Sequence, residues 1–194
     1  VILLVAGFPF KYFFGAIAAG VPLGVILLRF EPVRWARMMN FIDPFKDTQN
    51  VGYQVVQGLY AIATGGFFGL GLGQSVQKYS YLPEPYNDFI FAIVCEELGL
   101  FGAAAIMVLF AGLIIRGIKI AAEAPDTFGG LVVTGIMAQV AIQTILNIAV
   151  TTSSVPNTGV ALPFFSYGGT SLLVLLAEMG IVLSVSRYSR RGLQ

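Results

Sequence analysis

The stretch YLPEPYNDF (Tyr81–Phe89) ends in an acid, Asp88, set directly before an apolar run. Its prolines and Asn87 stop one element, and Asp88 opens the next. Spacing alone reads Asn87 or Asp88 as the N-cap of the following helix, its side-chain oxygen taking up N–H groups that have no partner within the helix. The chemical reading is a carboxylate at the edge of an apolar medium, where partial loss of solvent moves an acid toward the range of a general base. Glu96 and Glu97 lie one or two turns deeper in the same run. An ionised acid inside a membrane span costs roughly 2.5–3.5 kcal/mol on insertion scales, so such groups face a cavity, pair or become protonated. Pairing is the plainer expectation for these two. Glu178, in the middle of the last apolar run, is a site candidate by the same argument, although Gln143 or Asn147 on the preceding helix would simply satisfy it.

Two further segments carry weaker signals. GGFFGLGLGQ (Gly65–Gln74) has small residues four apart, at Gly65/Gly69 and Gly69/Gly73. In membranes that spacing usually means close backbone packing. As a phosphate cradle it lacks the Lys-Ser/Thr of a P-loop, but Lys78 follows closely enough to meet a diphosphate, unless it is only a solvated lysine at an interface. ALPFFSYGGTS (Ala161–Ser171) punctuates a turn with Pro163 and Gly168–Gly169 before a helix. Packing is the default there, and an anion site at the helix start is the alternative.

The elements that must position these groups follow from composition. The 194 residues are 57% hydrophobic and only 11% charged, with a mean hydropathy of +0.83. A soluble chain carries about 25% charged residues, so this one belongs in a membrane. A net charge of +1 excludes the strongly basic face of a nucleic-acid binder. The absence of histidine removes Ser-His-Asp and Cys-His nucleophiles and nearly every zinc site. The single cysteine, Cys95, excludes an internal disulfide framework. Chemistry must rest on acids, amines, guanidinium groups and hydroxyls.

Uncharged runs at Tyr12–Leu28, Leu98–Ile115 and Thr127–Ala177 predict full spans near 12–30, 89–116, 128–150 and 168–186, since a bilayer needs roughly 20 helical residues. VILLVAG at the start is too short to span and is no signal peptide, so the expectation is a chain cut within a membrane helix. Thr48–Gln77 is uncharged too, but its glycines and glutamines argue against a span. Val51, Val55, Leu59 and Ile62 instead predict an amphipathic interfacial or re-entrant helix ending in a glycine-rich turn. The expected fold class is an all-α integral membrane protein, a polytopic bundle of four full spans, a partial one and this amphipathic segment, forming one membrane domain over 1–194. Charge orients it weakly. Lys11, Arg116, Lys119, Arg187, Arg190 and Arg191 fall on one side, while Arg29, Arg34, Arg37, Lys46 and Lys78 occupy the long loop opposite. No internal repeat of the inverted-transporter kind is visible.

Taken together, FIDPFKDTQNVGYQVVQGLYAIATGGFFGLGLGQSVQKYSYLPEPYNDFIFAIVCEELGLFG (Phe41–Gly102), PNTGVALPFFSYGGTSLL (Pro156–Leu173) and MGIVLSVSR (Met179–Arg187) resemble the SEDS family of bacterial cell-wall proteins, whose branches include FtsW, RodA and SpoVE. The wording around Ser153–Gly159 and Ala177–Arg187 is closer to the division and sporulation branch than to the elongation branch. Members have more membrane helices than this chain has spans, so the resemblance implies a C-terminal half. It implies that 31–87 is a large extracytoplasmic loop, that the C-terminus is cytoplasmic, and that the protein sits in the bacterial cytoplasmic membrane. The implied activity is polymerisation of lipid II, an undecaprenyl-diphosphate-linked disaccharide, into glycan strands during division or spore formation. The implied partner is a class B penicillin-binding protein, a transpeptidase. The family's essential acid maps onto Asp88. Departures occur at Tyr86, where His is common, at Asn87, where Thr is common, and at Ser80, where some members carry an acid. These bear on the hydrogen bonding of the loop.

That activity assigns roles. A hydroxyl is a poor nucleophile at neutral pH, and Asp88 would take its proton. The departing diphosphate needs positive charge or helix N-termini, which Lys78, Arg34 and Arg37 would help supply, with a divalent cation as a further candidate. Gln74, Glu84 and Ser166 complete the expected substrate-binding set. Two rival readings stay open: a lipid II flippase, and a non-catalytic membrane scaffold for a penicillin-binding protein.

Overall fold

The computed structural model describes residues 1–31, 35, 38, 41, 45, 52–80 and 86–188. All regular structure among them is helical: α1 (Ile2–Val5), α2 (Phe10–Arg29), α3 (Tyr53–Gly65), α4 (Gln77–Ser80), α5 (Ile90–Ala122), α6 (Thr127–Thr151) and α7 (Gly169–Arg187). Helices α2, α5, α6 and α7 are long and apolar enough to cross a bilayer, the architecture of a multi-pass membrane protein.

Each of the four lies close to the uncharged run that predicts it. Helix α5 runs past Arg116 and Lys119 to Ala122, because long basic side chains can lie along a helix and carry their heads outward without ending it. Asp126 caps α6, its carboxylate accepting from Gly129 N at 2.8 Å. Pro22 lies inside α2, and no described residue of that helix is buried.

The core runs along α5. Phe91, Cys95, Ala103, Ile106 and Phe110 pack with Val140 of α6, with Leu162 of the loop that follows it, and with Leu175 of α7. Further along, Ile120 meets Val133, Ile136, Met137 and Val182. Helix α3 lies against the start of α5 through a face of small residues, with Gly58, Ala61 and Gly65 buried beside Val56. That face differs from the expected stripe: Val55 and Ile62 only flank it, and Val51 lies outside the described residues. A methyl group at Gly58 would come within 2.7 Å of the Phe89 ring, and one at Gly65 would overlap the Cys95 carbonyl. Small residues win here because backbone has to touch backbone.

The span expected near 89–116 is present, but it is not one unbroken helix. Helix α5 breaks at Gly99, whose φ of 66° and ψ of −167° are not helical. The glycine-rich loop after α3 fills the gap. Leu70 N and Gly71 N donate to the carbonyls of Glu96 and Glu97 at 2.9 and 3.0 Å, while Leu100 N and Phe101 N donate to the carbonyls of Gly66 and Phe67 at 2.9 and 3.3 Å. Backbone groups freed by a break within a span must find protein partners, and this loop supplies them. The packing reading of Gly65 and Gly69 therefore holds, whereas Gly73 has no neighbour within 4 Å of a would-be Cβ.

Candidate active site

The turn carrying Asp88 is fastened by its backbone. The carbonyls of Tyr86, Asn87 and Asp88 accept in succession from Tyr167 N at 2.7 Å, Ser166 Oγ at 2.6 Å and Asn147 Nδ2 at 2.8 Å. Asn147 is fully buried, and the same amide also donates to Val160 O at 2.7 Å. Ser166 Oγ accepts from Leu162 N at 2.7 Å. One amide on α6 and one hydroxyl in the 161–167 turn thus bind the Asp88 turn to the loop between α6 and α7.

The N-cap reading of Asn87 and Asp88 is corrected by this arrangement. Phe89 holds the N-cap position of α5 and has no capping side chain. Phe89 is fully buried over Gly58, so an apolar anchor, with carbonyls tied from outside, fixes the start of the helix. Asp88 is partly buried. Its Oδ2 lies against Gly159, where a Cβ would stand 3.3 Å away. Gly159 N donates to Asn157 Oδ1 at 3.2 Å, and Asn157 Nδ2 donates to Gln54 Oε1 on α3 at 3.2 Å. The carboxylate therefore sits where three segments meet: the turn before α5, the loop after α6, and α3.

A second cluster forms at the other end of the half-helix 90–98. Glu96 is 1% exposed. Its Oε2 accepts from the Ser75 hydroxyl, and its Oε1 accepts from Val76 N at 3.1 Å and Gln77 N at 3.4 Å. Ser75 Oγ in turn accepts from Lys78 N at 3.1 Å. Glu97 Oε1 accepts from Lys78 Nζ at 2.8 Å and Ser75 N at 3.4 Å. Pairing is thus the observed state of both acids. Lys78 stands in this cluster, and Gln74 beside it is exposed, its N–H donating to Gly71 O at 3.1 Å.

Glu178 faces a cavity of about 320 Å³ between α6, the 161–166 turn and α7, shared with Gln139, Gln143 and Ser166. Its described partner is Gln139, whose Nε2 lies 3.5 Å from Oε2. Neither Gln143 nor Asn147 fills the role expected of it, because the Asn147 amide is spent on Asp88 and Val160. The structure so places Ser166 at the Asp88 turn and Lys78 with Glu97 at the other end of the half-helix, while Gln74 is exposed. Arg34, Arg37 and Glu84 lie outside the described residues. Among the described residues no group of three or more acids or cysteines is placed to hold a metal.

Asn147, Ser75 and Gly99 escape sequence reasoning as site-building residues. Ser75 carries a usable signal, a serine just ahead of a short helix with an N–H three residues on to accept. Asn147 and Gly99 carry none, since their partners are distant in sequence.

Comparison with known proteins places the chain in a family. Stage V sporulation protein E of Bacillus subtilis (strain 168) is 47% identical over 98% of this chain and 52% of its own length. The protein named "Probable peptidoglycan glycosyltransferase FtsW" from the same organism is 47% identical over 80% of this chain and 38% of its own. The chain thus spans about half the length, or less, of these curated relatives. Among solved structures, a chain from a peptidoglycan synthase complex that coordinates polymerization and crosslinking is similar over 96% of this chain and 52% of that one, with a TM-score of 0.76 and 27% identity. The rod-shape-determining protein RodA of Thermus thermophilus is similar over 70% of this chain and 42% of that one, with a TM-score of 0.54 and 30% identity. The family of FtsW, RodA and SpoVE, described as cell cycle proteins, matches residues 1–191, and with almost no residue left outside that match the chain belongs to this family.

Proposed function

We propose that this chain carries the base-bearing part of a peptidoglycan glycosyltransferase that polymerises lipid II, with Asp88 as the general base. The observation that supports the reading best is the fastening of the Asp88 turn through three consecutive carbonyls. A general base must be held within hydrogen-bond reach of the proton it takes, and among the described residues the Asp88 turn is clamped from both α6 and the 161–167 turn. In the reaction, the 4-hydroxyl of a lipid-linked GlcNAc attacks the anomeric carbon of MurNAc. The new C–O bond forms as the bond to undecaprenyl diphosphate breaks, the hydroxyl proton passes to the Asp88 carboxylate, and the electron pair leaves on the diphosphate. Attack from the face opposite the leaving group inverts the anomeric centre.

In this reading the leaving diphosphate is met by Lys78, Arg34 and Arg37, and a divalent cation, if bound, would add counter-charge there. Gln74 and Glu84 serve the sugars. Ser166 acts on substrate indirectly, since its hydroxyl already donates to Asn87 and accepts from Leu162. The protein works in the bacterial cytoplasmic membrane as one membrane domain over 1–194, with 31–87 as an extracytoplasmic loop, a cytoplasmic C-terminus and a class B penicillin-binding protein as partner.

The experiment is lipid II polymerisation by the full-length protein carrying Asp88→Asn. Loss of a general base typically removes about 10²–10⁴-fold in rate. Expression and partner binding should stay normal, because the clamp uses the backbone of residue 88 and not its side chain. Near-normal glycan synthesis would overturn the assignment and favour a flippase or a scaffold.

A further inference from the structure

The cavity holding Glu178 is not explained by the chemistry at Asp88. Its polar wall is Gln139, Gln143, Ser166, Thr170, Ser171 and Glu178. Glu178 is the tenth of the 19 residues of α7, so at 1.5 Å rise per residue it lies about 13 Å from either end of the helix. A carboxylate at that depth needs a cation or a proton. Its described partner is a neutral amide at 3.5 Å, the outer limit of a hydrogen bond.

No described basic residue lines this cavity. Among the described residues the cations are placed elsewhere: Lys11, Arg29, Arg116, Lys119 and Arg187 lie toward helix ends, and Lys78 is paired with Glu97. A lipid ammonium is held at the bilayer surface, too shallow to reach. A lysine or arginine on a neighbouring span is not, and its apolar stem would lie along Leu172, Val174 and Leu175 of the same cavity. There is surface for such a neighbour. Helix α7 buries only Leu175 and Val182, no described residue of α2 is buried, and the chain covers 52% of the length of stage V sporulation protein E of B. subtilis.

We propose that the Glu178 cavity is the seat of a lysine or arginine side chain carried by a transmembrane helix outside residues 1–194 of the full-length protein. Glu178 supplies the counter-charge, and the amides of Gln139 and Gln143 supply acceptor oxygens for the remaining N–H groups. The pair locks that helix against α6 and α7. This inference does not depend on the role of Asp88.

The test places the photo-crosslinker p-benzoylphenylalanine at Val174, which lines the cavity and is 53% exposed, in the full-length protein in native membranes. The expected product is an intramolecular cross-link to a membrane segment outside 1–194, with a lysine or arginine within one helical turn of the linked residue. In a second arm, Glu178→Lys should cut the folded yield in detergent several-fold, and changing the mapped cation to glutamate in the same protein should restore it. Cross-links to lipid alone, or to a segment without a cation, overturn the proposal. So does a charge reversal that leaves the yield unchanged or that the compensating change fails to rescue.

Discussion

Asn147 and Asp88 are 59 residues apart in sequence, yet the side-chain amide of the first holds the backbone carbonyl of the second at 2.8 Å. The same nitrogen holds Val160 O at 2.7 Å, and the residue is fully buried. An NH₂ group is the one neutral donor that serves two carbonyls at once from a single atom. Position 147 therefore sets the distance between the turn carrying Asp88 and the loop carrying Gly159, against which the Asp88 carboxylate rests.

Asn147→Asp tests this with almost no change of shape. A carboxylate oxygen would face two carbonyl oxygens in place of a donor. Asn147→Ala leaves both carbonyls without their partner, at a cost of about 1–3 kcal/mol in a buried place. Asn147→Asp should be at least as harmful as Asn147→Ala, in thermal unfolding of the full-length protein in detergent and in lipid II polymerisation. A wild-type melting point and rate for Asn147→Asp would show that the amide donor is dispensable.

The glycine-rich loop gives a prediction that separates two kinds of glycine. Gly69 and Gly73 both have positive φ, +77° and +79°. A side chain at Gly73 meets nothing within 4 Å, while one at Gly69 would stand 2.2 Å from the Glu97 carbonyl oxygen. Gly73→Ala should cost only the left-handed backbone penalty, about 1–2 kcal/mol. Gly69→Ala should in addition drive the loop out of the Gly99 break and strip Glu96 and Glu97 of their backbone donors. Fluorescence-detected size exclusion should show a monodisperse peak for Gly73→Ala and its loss for Gly69→Ala. Equal behaviour of the two variants would mean that the loop does not repair the helix.

Much of this fold is legible because a bilayer reads composition directly. An uncharged run of sufficient length reads as a span unless glycines and glutamines interrupt it, as they do in Thr48–Gln77, and α2, α6 and α7 end close to the first charge or turn residue met. The break at Gly99 is not legible: ELGLFG reads as helix by propensity, and what opens it is a loop inserted from residues 66–71. The Asp88 turn misleads for a related reason. Asn and Asp before an apolar run satisfy every local rule for a cap, yet the start of α5 is held by donors from Asn147, Ser166 and Tyr167 and by the burial of Phe89. Local spacing reports local hydrogen bonds, and this site is assembled from distant ones.

The proposed orientation is open to chemical labelling. Thr158 is exposed in the loop between α6 and α7, and Cys95 is buried, so background from the native thiol is low. Thr158→Cys in the full-length protein in whole cells should react with a membrane-impermeant maleimide. Gly192→Cys should react only after the membrane is opened. The reverse pattern would turn the bundle over and move Asp88 to the side where glycan strands are not built.

The last prediction concerns Lys78, to which the site gives two possible duties. Its ammonium lies 2.8 Å from Glu97 Oε1, with side-chain exposures of 14% and 12%. Breaking a buried pair by removing one partner costs about 3–5 kcal/mol, because the other charge is left behind. This pair is slightly solvated, so the loss for Lys78→Met should fall below that range. Lys78→Glu should be worse, since it sets two carboxylates together. Combining it with Glu97→Lys restores an ion pair with its poles exchanged, and folded yield should largely return, short of full recovery because Ser75 N loses its acceptor on Glu97. Activity should not return with it. If the Lys78 ammonium also meets the diphosphate, the swap removes the cation from the side where it is needed. A charge-assisted hydrogen bond of about 1.5–3 kcal/mol then translates to a rate roughly 10- to 100-fold down in the folded double variant. Polymerisation that recovers in step with folding would confine Lys78 to holding Glu97 and leave the diphosphate to other cations.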